Sequence, residues 1–302
     1  MTQVVPFCDV SINAEWSDWQ HYPNGRPNPI YGEEVIKYGA TGLMFGFITL
    51  ASNGEACWAA QPTMALDWAV PLANELIKGG KRVGVSFGGA ANSDISSKFT
   101  IEELEQTYNK VIELYSATFL DFDLENGLYN ETNICTALKT VSAKNPNVTI
   151  SFTLPVLPSG LTTTGMGVVN KAKENNLTFT VNGMAMDYYD PSYKDKMGDA
   201  AIEAATSIKN QLKQVYPSES DSALFRRVAI TPMIGLNDDL SLFTIDDASK
   251  VANFCATNSL SFLSHWDLNR DNPSSFSYVD LQTSSNPDQK SSGDYTVAMV
   301  KC

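Results

Sequence analysis

The residues best suited to chemistry stand in one ten-residue stretch, Thr118–Gly127, TFLDFDLENG, where Phe and Leu alternate with Asp121, Asp123 and Glu125. Side chains two apart in a strand point to the same face, so the three carboxylates share one side, their Cα atoms roughly 6.6 Å apart from one to the next. A carboxyl held among other carboxylates keeps its proton to higher pH, because ionising it adds like charge to the cluster. Such a group can stay protonated near neutrality and donate to a leaving oxygen. Glu125, last and longest of the three, is best placed to reach a substrate beyond the strand end.

Other chemistries use closely spaced acids. A calcium loop reading of DFDLENG requires glycine at its sixth position and glutamate at its twelfth, where the chain has Asn126 and Thr132. A magnesium-dependent phosphatase of the haloacid dehalogenase type carries its DxD after the first strand; here the ladder falls on the fourth, and Glu125 replaces the usual small hydroxyl residue. Glycoside hydrolysis uses a protonated carboxyl beside an ionised one. The remaining alternative is a hydrogen-bonded acidic strand end with no chemistry at all.

What positions the ladder is legible in the periodicity around it. Strand-like runs fall at Val4–Ser11, Leu43–Leu50, Arg82–Phe87, Thr118–Leu124, Val148–Leu154, Phe179–Tyr188, Arg227–Ile234 and Ser259–Trp266, most bounded by Gly, Pro, Asn or Ser. Helical stripes separate them. Thr100-Ile-Glu-Glu103 predicts a capping box opening a helix with Ile101, Leu104, Tyr108, Val111 and Tyr115 on one face. Ala201, Ile202, Ala205, Ile208, Leu212 and Val215 mark another stripe, and Ile245, Ala248, Val251, Ala252 and Cys255 a third. Near-continuously apolar strands alternating with helices imply a parallel sheet covered by helices. Eight such units in 302 residues match an α/β fold of the (β/α)8 TIM-barrel kind. The rival, a doubly wound open sheet, lacks its glycine-rich phosphate loop. Asn272–Gly293 is expected to be a long loop, and Asp294–Cys302 a short closing helix. Barrel sites lie at the carboxyl ends of the strands, which is where Glu125 falls.

Composition narrows the partners. The chain is 43% hydrophobic and carries a formal charge of −13, with no basic cluster, so nucleic acid and anionic membranes are poor partners. No apolar run is long enough for a membrane span. Cys8, Cys57, Cys135, Cys255 and Cys302 contain no CxxC pair, and two histidines, His21 and His265, form no metal cluster. No metal and no cofactor are expected. Cys8 and Cys255 lie in apolar segments as small core residues, and the sequence allows one disulfide without naming its pair. The start, MTQVVPFCDVS, lacks the pattern of a secretory leader. Either the protein is cytoplasmic, or Met1 begins an excised mature domain.

Taken together the motifs resemble glycoside hydrolase family 18, the chitinases. TFLDFDLE matches the last three acids of the family's DxxDxDxE on the fourth barrel strand. VSFGGAAN matches SxGG at Ser86, Gly88 and Gly89 on the third, GMAMDYYD is similar to MxY at Met186 and Tyr188 on the sixth, and LSHWDLNRD places Trp266 on the eighth. The resemblance covers nearly the whole chain in the expected strand order. One departure is Thr118 and Phe119, which replace the aspartate and glycine that open the longer signature.

The resemblance implies a single catalytic domain over 1–302, excised from a larger secreted protein, monomeric, and acting on chitin or other N-acetylglucosamine-containing glycans. It implies substrate-assisted retention. Glu125 would protonate the glycosidic oxygen, Asp123 would hydrogen-bond the acetamido nitrogen, Asp121 would modulate Asp123, and Tyr188 would orient the acetamido oxygen. Trp266 would lie beneath the reacting sugar, with Met186, Asp187, Ser86, Gly88 and Trp58 in the substrate-binding set. Alternation places Met184, Met186 and Tyr188 on one face as a pocket wall. Trp16 and Trp19 are candidates for further sugar subsites, and His265 is structural. The same family includes endo-β-N-acetylglucosaminidases and non-catalytic glycan-binding proteins; the latter typically lose the glutamate acid that Glu125 retains.

Overall fold

Eight parallel strands follow one another in chain order around a single sheet in the computed structural model, which describes residues 2–302. They are β1 (Phe7–Asp9), β2 (Gly42–Leu50), β3 (Arg82–Gly88), β4 (Phe119–Asp123), β5 (Thr149–Leu157), β6 (Thr180–Ala185), β7 (Val228–Pro232) and β8 (Phe262–Leu263). Each pairs in parallel with the next. Backbone hydrogen bonds from Val5 N to Leu263 O (2.9 Å) and from Phe7 N to His265 O (3.1 Å) join the first strand to the last. The expected (β/α)8 architecture is therefore present; Met1, the first residue of the expected domain, lies outside the described residues.

Helices fill the crossovers: α1 (Ile30–Tyr38), α2 (Val70–Lys78), α3 (Ile101–Tyr115), α4 (Glu131–Lys144), α5 (Thr163–Glu174), α6 (Met197–Val215) with the short α7 (Asp221–Phe225), α8 (Ile245–Asn258) and α9 (Asp294–Val300). The capping box at Thr100 and Glu103 forms in full, and Leu104, Tyr108, Val111 and Tyr115 are the buried face of α3. The α6 and α8 stripes likewise face inward, with Ile202 and Ile245 at their half-buried margins. Between helices and sheet lies one large apolar core. A smaller cluster of Val5, Phe7, Met44, Phe119, Ala229 and Phe262 supports Phe47 and Trp266.

Several strand ends differ from expectation. The run to Tyr188 stops at Ala185, because Met186 N–H bonds back to Met184 O (3.1 Å) and Asp187 takes a left-handed φ of 50°. Ser259 is the left-handed cap of α8 rather than the start of β8. Short antiparallel additions unseen in the sequence, such as Ala56–Trp58 against β2, thicken the strand ends. Asn272–Gly293 contains no helix or strand. It is nevertheless braced: fully buried Arg270 donates to the carbonyls of Asp280, Ile234 and Leu236. All five cysteines are unpaired, and Cys8 and Cys255 are buried as expected. No described helix is long and apolar enough to cross a membrane.

Candidate active site

The acidic ladder is built from the bottom upward. Asp121, in the middle of β4, is fully buried and stands in register with Ser86 on β3 and Ser151 on β5. It accepts hydrogen bonds from Ser86 Oγ (2.6 Å), Ser151 Oγ (2.6 Å) and Thr153 Oγ1 (2.7 Å). Burial pushes its carboxyl up to about 6, and these hydroxyls pull in the other direction by solvating the charged form. The polar chain continues sideways: Asn182 Nδ2 on β6 donates to Thr153 Oγ1 (2.9 Å), and Thr231 Oγ1 on β7 donates to Asn182 Oδ1 (2.8 Å). Five strands thus share one hydrogen-bonded layer beneath the site. Thr118 is not part of it; its hydroxyl has no hydrogen-bond partner among the described residues. Three neutral hydroxyls, not a deeper carboxylate, support Asp121.

Asp123 comes next, in register with Gly88 and Thr153. Its side chain is buried at the cavity floor, and its Oδ1 has no hydrogen-bond partner among the described residues. Its carboxyl is raised well above the ordinary carboxylate range, first by burial, then by the charge of Glu125, a hydrogen bond with Glu125, and the charge of Asp121. Ionising Asp123 between two other acids adds like charge to the cluster, so it is the member of the ladder that most resists losing a proton. Gly88 makes the approach possible: at φ 97°, a Cβ there would lie 2.2 Å from Asp123 O. The adjacent Gly89 N–H donates to that same carbonyl at 3.0 Å.

Glu125 lies just past the strand and is exposed at the rim of the cavity. The residue after it fixes the turn. Asn126 Nδ2 donates to Asn92 O (2.9 Å) and Ala90 O (3.3 Å), tying the β4 loop to the β3 loop.

The cavity has a volume of about 310 Å³, within the range of a small-ligand site. Its apolar wall includes Phe7, Phe47 and half-buried Trp266, the last two stacked at 5.8 Å and 17°. Across from these, Met184, Met186 and Asp187 come from the β6 end and Asp238 from the β7 loop. Asp238 N–H donates to Asp187 Oδ1 (2.7 Å), and burial, followed by the charge of Asp238, pushes Asp187 up to about 6.

Of the residues picked from the sequence, Asp123, Glu125, Gly88, Met186, Asp187 and Trp266 line the cavity, with Asp121 and Ser86 directly under it. Two do not reach it. Tyr188 was expected on the face of Met184 and Met186; the break in extended backbone at Asp187 rotates it away, and its ring packs against Tyr193 at 6.0 Å instead. Trp58 is fully buried in the core, donating from Nε1 to Tyr115 Oη at 3.0 Å, because its segment folds back as a strand on β2. Trp16 and Trp19 are 51% and 64% exposed and stand outside the cavity lining. His265 is buried against Thr296 Oγ1 (2.9 Å), and burial and Arg270 pull its imidazole down to about 3. Sequence reading missed Asn182, Asn126, Phe47 and Asp238. An asparagine inside an apolar strand was the available signal for Asn182, since a buried amide requires partners.

Among the described residues, no group of three or more His, Cys, Asp or Glu is arranged to hold a metal ion.

Comparison with known proteins agrees with the geometry. No family model matches the chain. The catalytic domain of a hyperthermophilic chitinase from Pyrococcus furiosus is similar over 99% of this chain and 94% of that one, with a TM-score of 0.86 and 30% identity. A GH18 chitinase from Pseudoalteromonas aurantia shares the fold at a TM-score of 0.58 and 13% identity, covering 99% of both. A probable bifunctional chitinase/lysozyme from Escherichia coli strain K12 is 30% identical over 218 residues, 66% of this chain and 24% of that protein. Endochitinase 11 of Metarhizium anisopliae is 30% identical over the same length, 41% of its own. The chain spans less than half of either of these last two relatives.

Proposed function

The chain belongs to glycoside hydrolase family 18, and from that premise we propose that it is a chitinase, cleaving β-1,4-linked N-acetylglucosamine polymers with the substrate's own acetamido group as nucleophile. The observation that carries this reading is the stacked pair beneath the rim: a buried Asp123 with an unpartnered oxygen facing the cavity, over a buried Asp121 satisfied by three hydroxyls.

In the reaction proposed, the sugar before the scissile bond rests on Trp266. Glu125 gives its proton to the glycosidic oxygen. The acetamido oxygen attacks the anomeric carbon, the bond to the leaving sugar breaks, and a cyclic oxazolinium ion forms. Positive charge then develops on the acetamido nitrogen, whose N–H donates to the Asp123 carboxyl. With its proton passed toward Asp121, Asp123 offers the negative charge that stabilises that cation in a site shielded from water. Water next attacks the anomeric carbon and yields its proton to Glu125, restoring the acid and the β configuration. Met186 and Asp187 close the opposite wall. Secretion belongs to the same reading, since such a polymer is met outside the cell.

Glu125→Gln tests the acid. It preserves shape and removes the proton donor, so hydrolysis of N-acetylglucosamine oligomers should fall by about 10²- to 10⁴-fold while oligomer binding persists in calorimetry. Near-normal turnover would move the acid elsewhere.

A further inference from the structure

One polar atom of the cavity is used neither by the fold nor by the mechanism above. Thr49, near the end of β2, lines the cavity with its side chain 99% buried, being only 1% exposed. Its Oγ1 has no hydrogen-bond partner among the described residues. A buried hydroxyl without a partner costs stability, in the range of about 1–3 kcal/mol, so its presence calls for an explanation.

Register shows what it faces. Ile48 pairs with Phe87 on β3, so Thr49 falls level with Gly88, and Gly88 pairs with Asp123 on β4. Thr49, Gly88 and Asp123 thus stand in one lateral row across β2, β3 and β4, and all three line the cavity. Asp123 Oδ1, like Thr49 Oγ1, has no hydrogen-bond partner among the described residues. The same lining includes Phe47, Ala59, Ala90 and Ala91, which carry no hydrogen-bonding side-chain group, and the neutral amide of Asn92. A neutral hydroxyl can both donate to and accept from a neutral polar ligand.

We infer that Thr49 is a substrate-binding residue, its Oγ1 hydrogen-bonding a hydroxyl of the sugar held over Asp123. The assignment rests on the chitinase reading and adds a contact to it. The hydroxyl stays unpaired in the free enzyme and is satisfied when sugar enters, so the cost of burying it is recovered on binding. Two properties should then separate on substitution. Thr49→Val keeps the shape and removes the oxygen, which should weaken substrate recognition while leaving the fold as stable as before or more so.

The experiment compares wild type, Thr49→Val and Thr49→Ser for kcat/KM on N-acetylglucosamine oligomers and for Tm in the absence of sugar. We expect Thr49→Val to lose about 5- to 30-fold in kcat/KM, as for one neutral hydrogen bond, with Tm equal to or above wild type. Thr49→Ser should retain most of the activity. Unchanged kcat/KM in Thr49→Val overturns the inference. So does a lowered Tm or a failure to fold in that variant, because either means the hydroxyl is bonded inside the protein. If the wild type itself cleaves none of these oligomers, the chitinase reading falls instead, and the two failures are told apart.

Discussion

Asp121 shows most clearly how burial and hydrogen bonding compete at one carboxyl. Its folded-state pKa of about 6 lies above the ordinary value of 3.8, so the folded chain binds this proton more tightly than the unfolded one. Its contribution to stability is then fully present below about pH 4 and is lost as pH rises through about 6. Replacing Asp121 by Asn removes that titration. Between pH 4 and pH 7 the wild type should lose stability relative to Asp121→Asn by an amount on the order of 3 kcal/mol, measured by urea unfolding at each pH. A stability difference that does not change with pH would show that Asp121 keeps an ordinary pKa when folded. The ladder itself was legible because alternating acids and aromatics have one simple geometric meaning in a strand. Tyr188 was misplaced for the complementary reason: alternation holds only while the backbone stays extended, and the left-handed turn at Asp187 ends it. Aspartate tolerates that conformation better than most residues, yet nothing in GMAMDYYD distinguishes a turning Asp from an extended one.

At the scale of elements, the helices were the easier part. A 3.6-residue stripe with a Thr-x-x-Glu box specifies both the start and the buried face of α3, and local chemistry carries it. Strand lengths depended on partners far away in sequence. The eighth strand shrinks to Phe262–Leu263, and Trp58 is drawn into the core by pairing with β2, contacts that no local pattern announces. The hydrogen-bonded layer from Ser86 through Asp121, Thr153 and Asn182 to Thr231 is of the same kind, since it joins five strands whose residues are up to 145 positions apart. Asn182 is its middle link. Asn182→Leu leaves Thr231 without its acceptor and Thr153 without its donor inside the barrel. The variant should be destabilised by roughly 1–3 kcal/mol and should lose kcat more than KM, because Thr153 also holds Asp121. Unchanged unfolding and kinetics would mean that Ser86 and Ser151 alone fix Asp121.

Across the whole molecule, the barrel brings residues from all eight strands and their loops to one mouth, which is why short motifs scattered over the chain describe a single site. The net charge of −13 disfavours polyanionic partners. In the mechanism proposed, the acids assist the substrate's acetamido group and do not themselves attack carbon. The most direct measurement compares kcat/KM for fully N-acetylated oligomers with that for fully deacetylated oligomers of the same length and linkage. An amine cannot form the oxazolinium ring, so the account predicts cleavage of the acetylated oligomer and none detectable for the deacetylated one. Equal cleavage of both would contradict it.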